Sequence, residues 1–150
     1  MENTHIIVYS PGNDCWGLME LAVKDFCVLG GKTMCICGGS VYLFPEGNSF
    51  GGNAITAKVT LPIQTAGGKR MFTRRFVFPA AAEAEGALKI TARGDDMVLS
   101  RTVTLPRGRS MVDLRLGVQG RLIELTIENV EGCGFELPGG MSVEFGITEG

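Results

Sequence analysis

The chain has 150 residues, 45% of them hydrophobic, and a formal net charge of −2. That length suffices for a domain with its own hydrophobic core, and the overall acidity argues against nucleic acid as a partner, although a local basic surface could still meet phosphates. No apolar stretch approaches the roughly 20 residues that a membrane helix needs, so we expect no membrane partner.

The first segment, residues 1–52, consists of short apolar runs separated by glycines, such as HIIVYS, TMCICGG and SVYLF. Glycine contributes 22 residues, about twice its usual share of roughly 7%, and paired glycines suit tight turns. Residues 17–26 could also form a helix, but their flanks favour a strand. We therefore predict a small N-terminal β-hairpin sheet.

The second segment, residues 53–150, contains longer runs in which apolar and polar residues alternate. Val112, Leu114 and Leu116 show this period of two, which is typical of strands with one buried face. The short stretch PAAAEAEGA at 79–87 is rich in helix formers, but we expect only a turn there. The spacing predicts an all-β fold, an antiparallel β-sandwich of about eight strands that is jelly-roll-like.

Arg74 breaks the alternation in KRMFTRRFVFP. The parity of Phe72, Phe76 and Phe78, which we expect in the core, places Arg74 on the buried face, where an unpaired guanidinium is costly. A bulge or edge position would return Arg74 to solvent. Alternatively, Arg74 pairs with an acid at a subunit contact.

The five cysteines, an odd number without an apolar leader before them, are expected to be free thiols in a reducing cytosol. Cys35 and Cys37 should lie on the same sheet face, without the two-residue spacing of zinc knuckles. With His5 as the single histidine, we predict neither a metal site nor a cofactor.

The sequence offers no clear catalytic arrangement. No serine lies in a Gly-x-Ser-x-Gly elbow, and Asp95 and Asp96 are typical of a hairpin turn. Glu124, Glu128 and Glu144 share one wet face by parity, so a carboxylate pair in a small hydrolase stays a minor alternative. We predict that the protein is not an enzyme.

Charge is unevenly distributed along the chain. Residues 69–121 carry eleven Lys or Arg against five Asp or Glu, whereas residues 122–150 carry six acids and no Lys or Arg. These blocks could pair strand to strand within a subunit or between neighbouring subunits. For the second case, the predicted interface residues are Arg107, Arg109, Arg115, Arg121, Glu124, Glu128 and Glu144.

Aromatic residues in the first segment suggest a second kind of surface. Trp16, Tyr42 and Phe50 could form an exposed patch for a glycan or a partner protein. Packing within the segment is the alternative explanation for the same residues.

The first segment resembles one blade of a kelch-type β-propeller. The stretch IIVYSPGNDCW has the strand, turn and tryptophan order of that repeat, and GGKTMCICGGSVYLF is similar to its glycine-rich core. A blade does not bury both faces alone. The resemblance therefore implies a small sheet that packs on the sandwich or on another subunit.

The last third resembles structural proteins of tailed-bacteriophage particles. The matching features are Gly117 to Arg121, Glu128-Asn129, Gly132, Phe135 to Leu137, and Gly139 to Met141. The resemblance implies a virion protein made in the host cytoplasm, located at the head–tail junction or in the tail. It also implies ring-like homo-oligomers, other virion proteins as partners, and no catalysis.

Together these observations predict a non-enzymatic structural component of a phage particle, assembling through sheet edges and complementary charge. A carbohydrate- or protein-binding β-sandwich module is the alternative.

Overall fold

The computed structural model describes residues 4–10, 15–21, 23–37, 39–44, 49–50, 53–65 and 67–147. Within these ranges every regular element is a β-strand, and the pairings between strands of four or more residues are all antiparallel. The predicted all-β class is therefore confirmed. The chain divides into two compact units, Met1–Asn53 and Ala54–Gly150.

In the first unit, the described strands form three small groups. A hairpin pairs β1 with β2, a meander has the order β3-β4-β5, and β6 pairs with β7. A propeller blade, by contrast, is one four-stranded sheet. Residues 15–21 form a strand, as the flanks of that stretch indicated. The bounds are β1 Thr4–Ser10, β2 Cys15–Leu21, β3 Asp25–Leu29, β4 Lys32–Cys37, β5 Ser40–Leu43, β6 Ser49–Phe50 and β7 Asn53–Ala54.

The second unit is a β-sandwich built from two sheets. Sheet I has the strand order β11-β10-β14-β8. In sheet II the long strand β9 is central, with β12 and β13 along one side and β15 along the other. The bounds are β8 Lys58–Gln64, β9 Met71–Ala82, β10 Gly86–Arg93, β11 Val98–Leu105, β12 Gly108–Leu114, β13 Gln119–Gly120, β14 Leu122–Asn129 and β15 Ser142–Ile147.

The core of this unit lies between the inner faces of the two sheets. In β14 the inward residues Ile123, Leu125 and Ile127 are fully buried, while the residues between them face outward. Phe76 and Phe78 of β9 belong to the same hydrophobic cluster from the opposite sheet. Burial of a side chain of this size stabilises the fold by about 1.5–3 kcal/mol. The apolar residues at every second position of each strand therefore stabilise the packing of one sheet on the other.

Strand β9 contains a bulge at Arg74. Across the pair with β15, Glu144 lies opposite Arg75 and Phe145 lies opposite Thr73, so Arg74 has no partner. The extra residue shifts the parity of the strand and leaves the Arg74 side chain exposed. Of the two predicted explanations, a bulge or an edge position, the structure shows the bulge.

The same bulge corrects the expectation for Phe72. Before it, Met71 and Thr73 point inward and are fully buried, whereas Phe72 points outward and is 40% exposed. The ring of Phe72 lies over Gly117, where an added Cβ would come within 3.1 Å of it. Parity counted across the extra residue predicts the wrong face for Phe72.

Alanines 80–82 belong to β9 and not to the predicted turn, which is reduced to residues 83–85. Ala80 and Ala82 are buried in the core. Their packing inside the sandwich outweighs the helix propensity of alanine, which amounts to less than about 1 kcal/mol per residue.

Candidate functional site

Two of the predicted interface acids, Glu124 and Glu128, lie on the outward face of sheet I. Glu128 is opposite Lys58 on one neighbouring strand and opposite Lys89 on the other. Glu124 is opposite Arg93. Cross-strand pairs of opposite charge are favourable by about 0.2–1 kcal/mol, so these two acids have complementary charges within their own subunit.

A row of hydroxyl side chains crosses the same face between these charges. Thr60, Thr126, Thr91 and Ser100 lie opposite one another along the four strands of sheet I. The hydroxyls of Thr60 and Thr126 are 2.9 Å apart, and those of Thr91 and Ser100 are 2.7 Å apart. The four hydroxyl groups of this row therefore bond to one another in two pairs.

Glu144 lies elsewhere, on the outward side of β15 in sheet II. The expectation that it shares a face with Glu124 and Glu128 is wrong, because parity fixes the face of a strand but not the sheet that the strand joins. The three acids accordingly do not converge on one cleft. A carboxylate pair made from Glu144 and either of the other two loses its support.

Next to Glu144, Arg75 forms an ion pair with Asp113 of β12. Its Nε donates to Oδ1 at 2.8 Å, and Nη2 donates to the second carboxylate oxygen. The hydrogen bond from Arg75 lowers the pKa of Asp113, and the bond to Asp113 raises the pKa of Arg75. Because the bidentate geometry directs Arg75 toward Asp113, the neighbouring Glu144 has no ion pair among the described residues.

The predicted interface arginines lie at separate places on the sandwich. Arg107 and Arg109 are exposed at the turn between β11 and β12, where Gly108 has a φ of 92°. Arg115 follows β12 on the outward side of sheet II. Arg121 precedes β14, and its backbone N–H donates to Asp95 Oδ1 at 3.2 Å. The structure thus brings Arg107 and Arg109 together but not the four arginines.

The adjacent acids Asp95 and Asp96 lie in the hairpin turn between β10 and β11, as predicted. Arg70 approaches both of them, at 3.4 Å from Asp95 Oδ2 and 3.7 Å from Asp96 Oδ2. The N–H of Asp95 also donates to the carbonyl of Gln119 at 3.0 Å. These contacts fasten the hairpin both to the residue before β9 and to the segment before β14, which is a structural role.

The edges of the two sheets are the remaining candidate surfaces. Strand β8 contains Pro62, which lacks a backbone donor and limits pairing with another strand. Strand β11 is exposed along most of its length, and β15 exposes Phe145 and Ile147. Within the described residues, β11, β15 and the sheet II strand β12 each pair with a single neighbouring strand.

Arg101 of β11 is a residue that the sequence reasoning missed. It lies opposite Ile90, on the side of the strand that carries Val103 and Leu105 toward the core, yet it is exposed at the sheet edge. A charge placed among inward positions is a known device for controlling edge strands. The parity of Leu105, Val103 and Leu99 would have revealed Arg101 in the sequence.

Of the predicted aromatic patch, the structure describes only the side chain of Tyr42. Trp16 and Phe50 have side chains outside the described part of the chain. Tyr42 is half-buried on β5, opposite the buried Cys35. Nearby in this sheet, Phe26 and Phe44 pack edge to face with their ring centroids 5.2 Å apart.

The cysteines whose side chains are described are free thiols: Cys27, Cys35, Cys37 and Cys133. Cys35 is fully buried, and burial, followed by the neighbouring thiols of Cys37 and Cys27, raises its pKa. Cys27 is exposed on the other face of the same sheet.

These environments predict different thiol reactivities. Iodoacetamide at pH 8 should modify Cys27 at least about tenfold faster than Cys35, because the thiolate reacts and burial disfavours it. Peptide mass spectrometry of a time course measures both rates in one sample. The rates should converge in urea, and equal rates in the folded protein would contradict the burial of Cys35.

The described residues offer neither a metal-binding cluster nor a membrane-spanning helix. No group of three or more His, Cys, Asp or Glu side chains in the described ranges lies close enough to hold a metal ion. Nor do these ranges contain a helix of the length and hydropathy required to cross a membrane.

Comparison with known proteins gives no match, whether with family models, with curated proteins or with solved structures.

Proposed function

We propose that this chain is a non-enzymatic structural component of a tailed-bacteriophage particle. In this proposal it forms a ring or another multimer at the head–tail junction or in the tail, through its sheet edges and complementary charge. The phage assignment comes from the resemblance of the last third of the chain. The proposal for assembly comes from the sandwich itself.

The observation that carries the assembly proposal is that β11 and β15 each leave one strand edge free. Each ends a different sheet of the same sandwich, and each exposes apolar side chains at its edge. Such edges present unpaired N–H and C=O groups and readily accept another strand. Proline, the device that protects β8, is missing from both strands.

Fewer of the predicted interface charges support the proposal than the sequence suggested. Glu124 and Glu128 face cations of their own subunit. Glu144 also lies opposite a cation, Arg75, but that guanidinium is paired with Asp113, and Glu144 lies on a free edge. Arg107 and Arg109 extend from a turn that adjoins the other free edge. In the proposed multimer these edge charges, and not the faces of the sheets, orient neighbouring subunits.

The test is the mass of the purified chain in solution, measured by light scattering on a sizing column at low and high salt. We expect a defined multimer that partly dissociates in high salt, because exposed charges are screened at high ionic strength. Replacing both Arg107 and Arg109 with Glu should weaken the multimer further at low salt. A monomer at every concentration and salt would refute the proposal.

A further inference from the structure

We propose that neighbouring copies join head to tail by adding β15 of one copy to β11 of the next, antiparallel, with Glu144 opposite Arg101. The partner is therefore a second copy of this chain. The inference rests on the proposed assembly and specifies which edges meet and in which register.

The backbone of β11 offers hydrogen bonds to an added strand at every second residue. At the β10–β11 hairpin, the N–H of Gly94 donates to the carbonyl of Met97 at 2.8 Å. Bonded and non-bonded pairs alternate in an antiparallel ladder, so the next pair, Arg93 with Val98, is non-bonded. By this alternation, the residues that turn their N–H and C=O outward are Val98, Ser100, Thr102 and Thr104.

The same argument gives the outward groups at the end of β15. The N–H of Thr73 in β9 donates to the carbonyl of Val118 at 2.9 Å, on the side away from β15. Phe145, which lies opposite Thr73, therefore turns its own backbone groups outward, and alternation assigns the same direction to Ile147.

On the other side of the β9 bulge, a second contact shows which way the backbone N–H and C=O groups of β15 point. Ala81 exchanges backbone hydrogen bonds with Glu136 on the side of β9 that β15 occupies. Alternation along β9 then directs Arg75 toward its partner Glu144. The N–H and C=O of Glu144 are bonded inward, and those of Val143 turn outward.

A single antiparallel register serves both strands. If Phe145 of one copy pairs with Ser100 of the next, Val143 meets Thr102 and Ile147 meets Val98. All these residues have outward backbone groups, so each pair can exchange hydrogen bonds. The same register brings Glu144 opposite Arg101 in a non-bonded pair, where Cα atoms lie about 4.5 Å apart and side chains are closest.

The charges select this register over others. Arg101 is the one charged residue in the sequence VLSRTVTL of β11, and Glu144 is the one charged residue in SVEFGI of β15. Pairing β11 with a second β11 around Arg101 would place like charges opposite each other, which is destabilising. Glu144 supplies the acid that an edge bearing Arg101 accepts.

The exposed apolar side chains of β11 and β15 also fit this register. Val98 and Ile147, each 53% exposed, become opposite neighbours and cover one another. Leu99, 37% exposed, lies opposite Gly146, which has no side chain of its own, although Nη2 of Arg74 lies 3.7 Å from the position that a Cβ would take. The two edges belong to different sheets, so the contact is heterologous, and repeated contacts of this kind close into a ring or continue as a filament.

The experiment uses charge reversal in the full chain, with dissociation followed by light scattering and analytical ultracentrifugation. Arg101→Glu and Glu144→Lys should each raise the dissociation constant at least about tenfold, since like charges then meet at the contact. The double variant should return to within about threefold of the original. A one-to-one mixture of the two single variants should assemble again, because both of its alternating contacts pair a cation with an anion.

Matched controls separate this contact from general charge effects. Arg93→Glu combined with Glu124→Lys reverses a pair on the outward face of sheet I and should leave assembly unchanged. Thermal unfolding of each variant checks that the sandwich is intact. The conservative variant Glu144→Gln should weaken assembly less than Glu144→Lys does.

The outcomes distinguish this inference from the proposed function. A multimer whose dissociation constant is unchanged by both single charge reversals refutes the β11–β15 contact but does not refute the proposed structural function. An assembly that stops at a dimer refutes the head-to-tail arrangement. Unmodified chain that stays monomeric under all conditions refutes the proposed function itself.

Discussion

Replacement of Asn129 by alanine is expected to lower the free energy of unfolding by about 3 kcal/mol, because several buried polar groups lose their partners. Asn129 ends β14 and is 8% exposed. Its Oδ1 accepts from the N–H of Ala57 at 2.7 Å, and its Nδ2 donates to the carbonyls of Ile55 at 2.8 Å and Cys133 at 3.1 Å. One side chain thereby holds the segment before β8 and the turn after β14.

Urea denaturation followed by circular dichroism measures this loss. Asn129→Asp keeps the size and the acceptor but has no amide donor, and its charge would face the two carbonyl oxygens. We therefore expect it to be at least as destabilising as alanine at neutral pH. Glu124→Gln, on the exposed face of the same strand, is the control and should change stability by less than about 0.5 kcal/mol. A loss below 1 kcal/mol for Asn129→Ala would contradict the proposed role of this side chain in holding the two segments together.

Replacement of Gly94 by alanine is expected to cost about 3 kcal/mol, the upper end of the usual range for overpacking. A Cβ built on Gly94 would lie 2.1 Å from the carbonyl oxygen of Gln119. That oxygen also accepts from the N–H of Asp95 at 3.0 Å, so it is held in place. The β10–β11 hairpin would have to move away from the segment before β14, with loss of the Asp95 contacts.

Gly140 provides the matched control. A Cβ at Gly140 meets nothing within 4 Å, so Gly140→Ala should be neutral or stabilise by up to about 1 kcal/mol through the unfolded chain. Thermal unfolding of both variants under the same conditions gives the comparison. Equal unfolding temperatures for the two variants would contradict the prediction, because they would show that the chain accommodates a Cβ at Gly94 without loss of stability.

Both predictions concern contacts that position the free edges. The side-chain hydrogen bonds of Asn129 fix the end of β14 and the turn leading toward β15. The contact at Gly94 fixes the hairpin from which β11 begins. A destabilised variant at either position should therefore also assemble less well, which is why the charge reversals at Arg101 and Glu144 are the more specific test of assembly.

Much of the fold could be predicted because strand alternation is a local property. The positions of Ile123, Leu125 and Ile127 repeat with a period of two, and the pleat of a strand places such residues on one face. The all-β class, the sandwich and the bulge at Arg74 follow from patterns of this kind. Each depends on which side chains a short segment can bury.

The candidate contact could be predicted only in part. Glu144 was found from its charge and parity, but its separation from Glu124 depends on the sheet that each strand joins. Arg101 could have been recognised from parity, yet parity does not reveal that β11 has a free edge. Long-range packing between strands far apart in the sequence decides both.

The sequence by itself thus determined which segments of this protein become strands and which face of most strands is buried, because those follow from neighbouring residues. Only the tertiary structure decided which strands lie at the sheet edges and which charges already have partners, as Arg75 has in Asp113. The physical reason is that backbone pairing energies differ little from one strand to another, so the order of strands is set by how the whole core packs.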